Sequence, residues 1–236
     1  MPEVTPHDFA QWLERAPLIA ILRGIRPAEA VTIGCELADA GFGIIEVPLN
    51  SPQPLESIRR LADALAPRCL IGAGTVTDPA SVAAIAAAGG QLIVMPHADA
   101  AVIRAAKAAG LYCTPGVATP TEGFAALASG ADALKVFPAD QLGAKALKAW
   151  RSVFPEQTAF IPVGGITPPT MRPFIEAGAR GFGLGTALYT PGATAATVGA
   201  NARAFVAAWD AIFASALSAT LRSSRGGGPE IRSQRS

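Results

Sequence analysis

Asp132-Ala133-Leu134-Lys135-Val136-Phe137-Pro138 is an apolar run of strand length with a lysine at its centre. The run suits a buried strand, but a buried ammonium is costly unless it is paired or gives up its proton. The other lysines, Lys107, Lys145 and Lys148, fall in Ala-rich helical patterns that point them to solvent. Two readings of Lys135 stand at this point. It is an amine kept neutral in an apolar pocket, suited to attack on a ketone. Alternatively it is a strand-end lysine that snorkels to water or pairs with Glu46 or Asp132.

Outward from this strand the chain repeats one rhythm, short apolar runs followed by Ala-rich helical patterns. The runs predict strands at Leu18–Arg23, Ile44–Pro48, Cys69–Gly74, Gln91–Met95, Leu111–Pro115, Ala133–Phe137, Phe160–Val163 and Gly181–Gly185. Helices are expected at His7–Arg15, Pro27–Ala40, Pro54–Leu65, Pro79–Ala88 and Asp99–Ala109. Others are expected at Pro120–Ala128, Ala144–Val153, Pro168–Ala177 and Asn201–Leu217. Several open with proline in the first turn and close with glycine. Eight strand–helix units in 236 residues predict an α/β fold, a single (β/α)8 TIM barrel with an N-terminal helix over residues 1–217. A doubly wound sheet is the alternative, but the Gly-x-Gly-x-x-Gly turn after the first strand is missing. Residues 218–236, rich in Ser, Arg and Gly, read as a disordered tail.

Composition excludes several function classes. A net charge of +1 with no long run of one sign argues against a nucleic-acid or membrane-surface partner. Cys35, Cys69 and Cys113 fit no metal spacing and suit free thiols in a reducing cytoplasm. His7 and His97 are too few for a His-rich metal site, so no metal is expected; no cofactor is expected either. Met1 to Glu14 carries no apolar core of the kind a signal peptide needs, and no run reaches membrane-spanning length. The chain reads as a cytoplasmic protein.

Residues two apart on a strand share a face. If Lys135 points inward, Ala133 and Phe137 do too, and Leu134 and Val136 face the helices. Glu46 sits likewise inside Ile44-Ile45-Glu46-Val47-Pro48. Arg23 shares a face with Ile19 and Ile21, and Thr75 with Ile71 and Ala73. All four lie near C-terminal strand ends, where barrel enzymes assemble their sites. A structural ion pair from Glu46 to Lys135 or Arg23 is the competing account of the carboxylate. Gly164-Gly165 and Gly185-Thr186 end the last two strands, where close-approaching backbone N–H groups suit a phosphate. Glu122 reads as a favourable helix-start charge without a catalytic part.

With these residues placed, the chain over roughly residues 17–209 resembles the class I aldolases of 2-keto-3-deoxy-6-phosphogluconate and -galactonate. The resemblance rests on Ile21-Leu22-Arg23-Gly24, Ile45 to Pro52, Gly72-Ala73-Gly74-Thr75-Val76, Leu134 to Pro138, Val163-Gly164-Gly165-Ile166 and Leu184-Gly185-Thr186. It implies that Lys135 is the Schiff-base lysine and Glu46 the general acid/base. Arg23 and Thr75 would hold the substrate carboxylate, and Phe137 and Pro96 would wall the pyruvate end. Gly164, Gly165, Gly185 and Thr186 would take the phosphate. The partner would be a phosphorylated keto-deoxy sugar acid, and the assembly a homotrimer.

Within that family the gluconate enzymes typically carry an arginine after the glutamate, in a Thr-Leu-Arg-Thr type pattern. Here the segment reads Pro48-Leu49-Asn50-Ser51, like the galactonate group. Val163 stands where the gluconate group usually has Thr, and loss of that hydroxyl bears on discrimination at C4. Rival readings are the gluconate or a dual-epimer aldolase, a sugar-phosphate isomerase or epimerase, and a sugar-phosphate-binding regulatory protein.

Overall fold

The computed structural model describes residues 8–225. The first half runs α1 (Phe9–Arg15), β1 (Leu18–Ile21), α2 (Pro27–Asp39), β2 (Ile44–Pro48), α3 (Pro54–Leu65), β3 (Leu70–Gly74), α4 (Ser81–Ala87), β4 (Leu92–Val94) and α5 (Ala100–Ala108). It continues with β5 (Tyr112–Thr114), β6 (Gly116–Val117), α6 (Pro120–Ala128), β7 (Leu134–Val136), α7 (Ala139–Arg151) and β8 (Phe160–Pro162). A 3-10 turn (Pro168–Thr170), α8 (Met171–Glu176), β9 (Phe182–Leu184) and α9 (Ala195–Arg225) complete it.

The expected closed eight-stranded barrel is not formed. The strands make a six-stranded sheet, ordered β5-β4-β3-β2-β1-β9, and a separate three-stranded sheet, β6-β7-β8. Every pairing is parallel. Proline explains the first break. The predicted strand Leu111–Pro115 divides at Pro115, which has no N–H for a ladder, so β5 ends one sheet and β6 starts the other. At the second break β8 stops at Pro162, and the positive φ of Gly164 and Gly165 (105° and 67°) turns the chain away. An isolated bridge, Val163 to Gly183, links the sheets there, and Arg180 N–H, just before β9, donates to Phe160 O of β8 (3.0 Å). Counting strand–helix units reads the order of elements but not the continuity of the ladder.

Alternation along the strands sorts the core into two layers. Leu18, Ala20, Ile45, Val47, Ile71, Ala73, Leu134 and Val136 pack outward under the helices. Ile19, Ile21, Ile44, Leu70, Leu92, Val94, Ala133, Ile161 and Val163 form one inner cluster to which both sheets contribute. Phe9, Trp12 and Leu13 of α1 belong to that inner cluster, so the N-terminal helix covers it with apolar side chains. Asp8 caps this helix by accepting from Ala10 N–H (3.1 Å).

The helices match the expected pattern with three adjustments. The stretch Ala144–Val153 begins earlier, at Ala139, with a kink at Gly143, whose φ is 72°. Pro168–Ala177 divides into the 3-10 turn and short α8. The last helix extends to Arg225, so residues 218–225, assigned to the tail, are helical. His7 and residues 226–236 lie outside the described residues. Glu122 closes a capping box with Thr119 at the start of α6, accepting from Ala118 N–H (2.8 Å) and Thr119 N–H (2.9 Å). Among the described residues no helix is long and apolar enough to cross a membrane.

Candidate active site

Lys135 sits at the middle of β7, paired in register with Gly116 on β6 and Ile161 on β8. Its strand neighbours Leu134 and Val136 are committed to the outer core, so alternation turns Lys135 inward beside Ala133. The residue is 7% exposed, so its head does not snorkel to water. Asp132 is not its partner either. Lys107 Nζ donates to both Asp132 oxygens (2.8 and 2.7 Å), and Cys113 N–H donates to Oδ2 (2.7 Å). Lys107 is thereby held in an ion pair, not released to solvent as its helical position suggested. Burial pushes the Lys135 amine below the ordinary lysine range. Glu46 opposes the shift and Arg23 adds to it. The Phe137 ring, itself partly exposed, lies with its centroid 5.0 Å from Lys135 Nζ.

Glu46 occupies the equivalent inward position on β2, between Ile21 of β1 and Gly72 of β3. It is 2% exposed, and its Oε2 has no hydrogen-bond partner. Burial raises the carboxyl to about 7, against the attraction of Lys135 and Arg23. A group poised there can both take and give a proton near neutral pH. Among the described residues no direct ion pair joins it to Lys135 or Arg23, so the competing reading as a plain structural salt bridge loses its contact. Room for the carboxylate comes from Gly74, also inward on β3, since a Cβ there would overlap Glu46 Oε2.

Arg23 comes just after β1 and reaches across the strand ends. Its Nη1 donates to Asn50 Oδ1 (2.8 Å) and its Nη2 to Thr75 Oγ1 (3.3 Å). Thr75 reaches this position by a route that alternation does not give. Ile71 and Ala73, expected to share its face, pack in the outer core. Thr75 has φ 56°, in the left-handed region, and this turns its hydroxyl back toward Arg23. Pro96 approaches from the next turn. A Cβ at Gly116, the register partner of Lys135, would lie 2.5 Å from Pro96 O, so only glycine lets the two segments pass.

The remaining expected residues line up along the other sheet junction. Val163 is buried in the inner cluster, and its Cγ2 lies where a Cβ at Gly183 would come within 2.6 Å. Its backbone is fixed from both sides, donating to Val136 O (3.0 Å) and accepting from Ala139 N–H (2.8 Å). Gly164 and Gly165 then open a turn against the start of α7. Gly185 has open space where a side chain would stand, and its carbonyl accepts from Leu188 and Tyr189 N–H (2.8 and 2.9 Å). The glycine turns lead into a 3-10 turn and a loop, not into a long helix start.

His97 is exposed and makes no part of this arrangement. Among the described residues no group of three or more His, Cys, Asp or Glu is placed to hold a metal. The three cysteines are free. A surface cleft of about 530 Å³, lined by residues including Leu49, Leu55 and Ala84, contains none of the inward polar groups. Sequence reasoning missed Gly74 and the bonding of Asn50 and Ser51. A glycine at the end of a strand, immediately before Thr75 and on the strand next to the one carrying Glu46, was the available signal for the first.

The chain as a whole is similar to several known proteins. The 2-dehydro-3-deoxy-6-phosphogalactonate aldolase of Escherichia coli (strain K12) is 47% identical over 199 residues, covering 84% of this chain and 97% of that one. The 2-dehydro-3-deoxy-phosphogluconate aldolase of Zymomonas mobilis is 33% identical over 170 residues, covering 72% and 80%. A solved structure described as native KDPGal superposes with a TM-score of 0.83 at 46% identity, covering 84% of this chain and 97% of that chain. The family model described as KDPG and KHG aldolase matches residues 9–197. By both measures, the chain belongs to the KDPG and KHG aldolase family.

Proposed function

We infer that the protein is a class I aldolase that cleaves 2-keto-3-deoxy-6-phosphogalactonate to pyruvate and glyceraldehyde 3-phosphate. The observation that carries this reading is Lys135, an inward amine depressed by burial and without a direct ion pair among the described residues, near a carboxyl raised to about 7. A neutral amine is a nucleophile, and a poised carboxyl moves protons in both directions.

On this reading Lys135 Nζ adds to the C2 carbonyl carbon, and the carbinolamine loses water to give an iminium. The face of Phe137 favours that cation. Glu46, through a bridging water, takes the proton of the C4 hydroxyl. The C3–C4 bond breaks, its electron pair flows into the iminium, and glyceraldehyde 3-phosphate leaves. The enamine is reprotonated at C3 from the same carboxyl, and hydrolysis frees pyruvate and the lysine. Arg23 holds the C1 carboxylate with N–H groups that Asn50 and Thr75 leave available. Pro96 and Phe137 wall the pyruvate end. The backbone at Gly164, Gly165 and Gly185, with the Thr186 hydroxyl, receives the phosphate. The iminium is itself the electron sink, so activity survives EDTA.

The galactonate epimer is favoured by Val163 and by the segment Pro48-Leu49-Asn50-Ser51. A buried valine offers no hydrogen bond at the position where the gluconate group usually has Thr. The relative at 47% identity carries the galactonate name, and the one at 33% the gluconate name. The reading brings with it a homotrimer and a reducing cytoplasmic setting, which sedimentation and cell fractionation check. Assaying both purified epimers side by side for pyruvate release tests the substrate. Faster release from the galactonate epimer is expected. Faster release from the gluconate epimer reverses the assignment, and no pyruvate from either favours an isomerase or epimerase.

A further inference from the structure

Arg23 is exposed, and a long side chain at a cleft mouth has many rotamers to lose when it grips a ligand. The structure restricts it through the loop after β2. Leu49 N–H donates to Gly74 O (2.8 Å), and Ser51 N–H to Pro48 O (2.9 Å), so Asn50 lies between two tethered residues. Ser51 is buried, and its Oγ accepts from the N–H of Gly24 (2.9 Å), the residue after the arginine. Gly24 has φ 83°, a conformation that glycine adopts without strain. Two consecutive residues of one loop therefore hold both the backbone beside Arg23 and its guanidinium. Thr75 holds the other terminal nitrogen from the end of β3.

We propose that Asn50 is a positioning residue for Arg23, fixing the guanidinium in the orientation that receives the substrate carboxylate. Asn50 then has a positive part in this chain, beyond being the site where the gluconate group carries an arginine. Its Oδ1 faces the guanidinium, which settles the orientation of the amide. Without it, Arg23 keeps its charge but samples more orientations, so carboxylate binding weakens while the chemistry at Lys135 is untouched. This inference rests on the aldolase reading above.

The test is a double-mutant cycle in the cleavage assay with Asn50→Ala, Arg23→Ala and the pair, each confirmed folded by its melting temperature. Asn50→Ala is expected to raise KM about tenfold, the effect of losing one hydrogen bond to a charged group, with kcat within about twofold. In the Arg23→Ala background the same substitution should change KM less than about twofold, because its target is gone. An unchanged KM in the single variant, an effect confined to kcat, or a full repeat of the effect without Arg23 would overturn the proposal. Wild type that releases no pyruvate would overturn the aldolase reading and this inference with it. Wild-type turnover with an unaffected Asn50→Ala variant would overturn the inference alone.

Discussion

The candidate site has one half built from side chains and another built from backbone. Arg23 and Thr75 stand just past the ends of β1 and β3, while Glu46 and Lys135 project inward from within β2 and β7, where burial shifts both groups. Gly164, Gly165 and Gly185 offer no side chain; the part proposed for them is backbone N–H donation to the phosphate, with open space at Gly185. The difference suits the two ends of the proposed substrate. A reacting carbonyl needs groups whose proton affinity has been shifted. A phosphate needs only donors that are already oriented. Substitutions at Glu46 and Lys135 should therefore change turnover, and those at Arg23 and in the second half should change binding.

The largest effect is expected at Glu46. Glu46→Gln should lower kcat by about 10²- to 10⁴-fold while pyruvate still condenses with Lys135. The pH profile sharpens the point. A base with its midpoint near 7 makes kcat/KM rise through that pH, and the variant should lose this limb. Stability shifts in the matching direction. The folded carboxyl holds its proton to about 7, against the ordinary 4.5, so the fold binds more protons than the unfolded chain between those values. Wild-type stability should then fall as pH rises through that window, by on the order of 3 kcal/mol, and Glu46→Gln should not show the fall. Denaturant melts of both proteins across that range check it. Equal slopes would break the assignment of the raised carboxyl to Glu46.

Gly74 lies between the two halves in kind, because it is backbone that serves a side chain. Gly74→Ala places a Cβ on Glu46 Oε2, the far end of a flexible side chain, so the carboxylate swings away and the fold survives. A kcat loss of about 10²-fold is expected from the misplaced base, with the lysine adduct retained. Normal turnover would mean that the carboxylate position is not critical. The smallest effect belongs to the backbone half. Thr186→Ala should raise KM for the phosphorylated substrate by only about three- to tenfold, leaving kcat and pyruvate condensation near wild type. A large kcat loss there would erase the contrast between the halves.

The side-chain half was legible in the sequence to the extent that it broke a local rule. Lys135 and Glu46 each interrupt an apolar strand, and alternation then fixed their direction. Thr75 was assigned the same face as Ile71 and Ala73, because a positive φ at a threonine leaves no mark in a residue pattern. The glycine turns were legible as glycine pairs, but their successor elements were not, since Pro168-Pro169 favours a tight turn over a full helix start. Barrel closure was over-read. Pro115 and Pro162 stand at the two seams of the sheets, and the hydrogen-bond ladder depends on those missing donors more than on the number of strands. Asn50 could be seen as a difference between groups, but its bond to Arg23 crosses 27 residues and emerges only in three dimensions.

The proposed cleavage begins with covalent capture of the substrate at one nitrogen, Lys135 Nζ. Incubating the protein with pyruvate and borohydride, then mapping peptides by mass, should place the reduced adduct on the peptide containing Lys135, with none in Lys135→Met. An adduct on Lys107, Lys145 or Lys148, or no mass change in an actively cleaving enzyme, would contradict it.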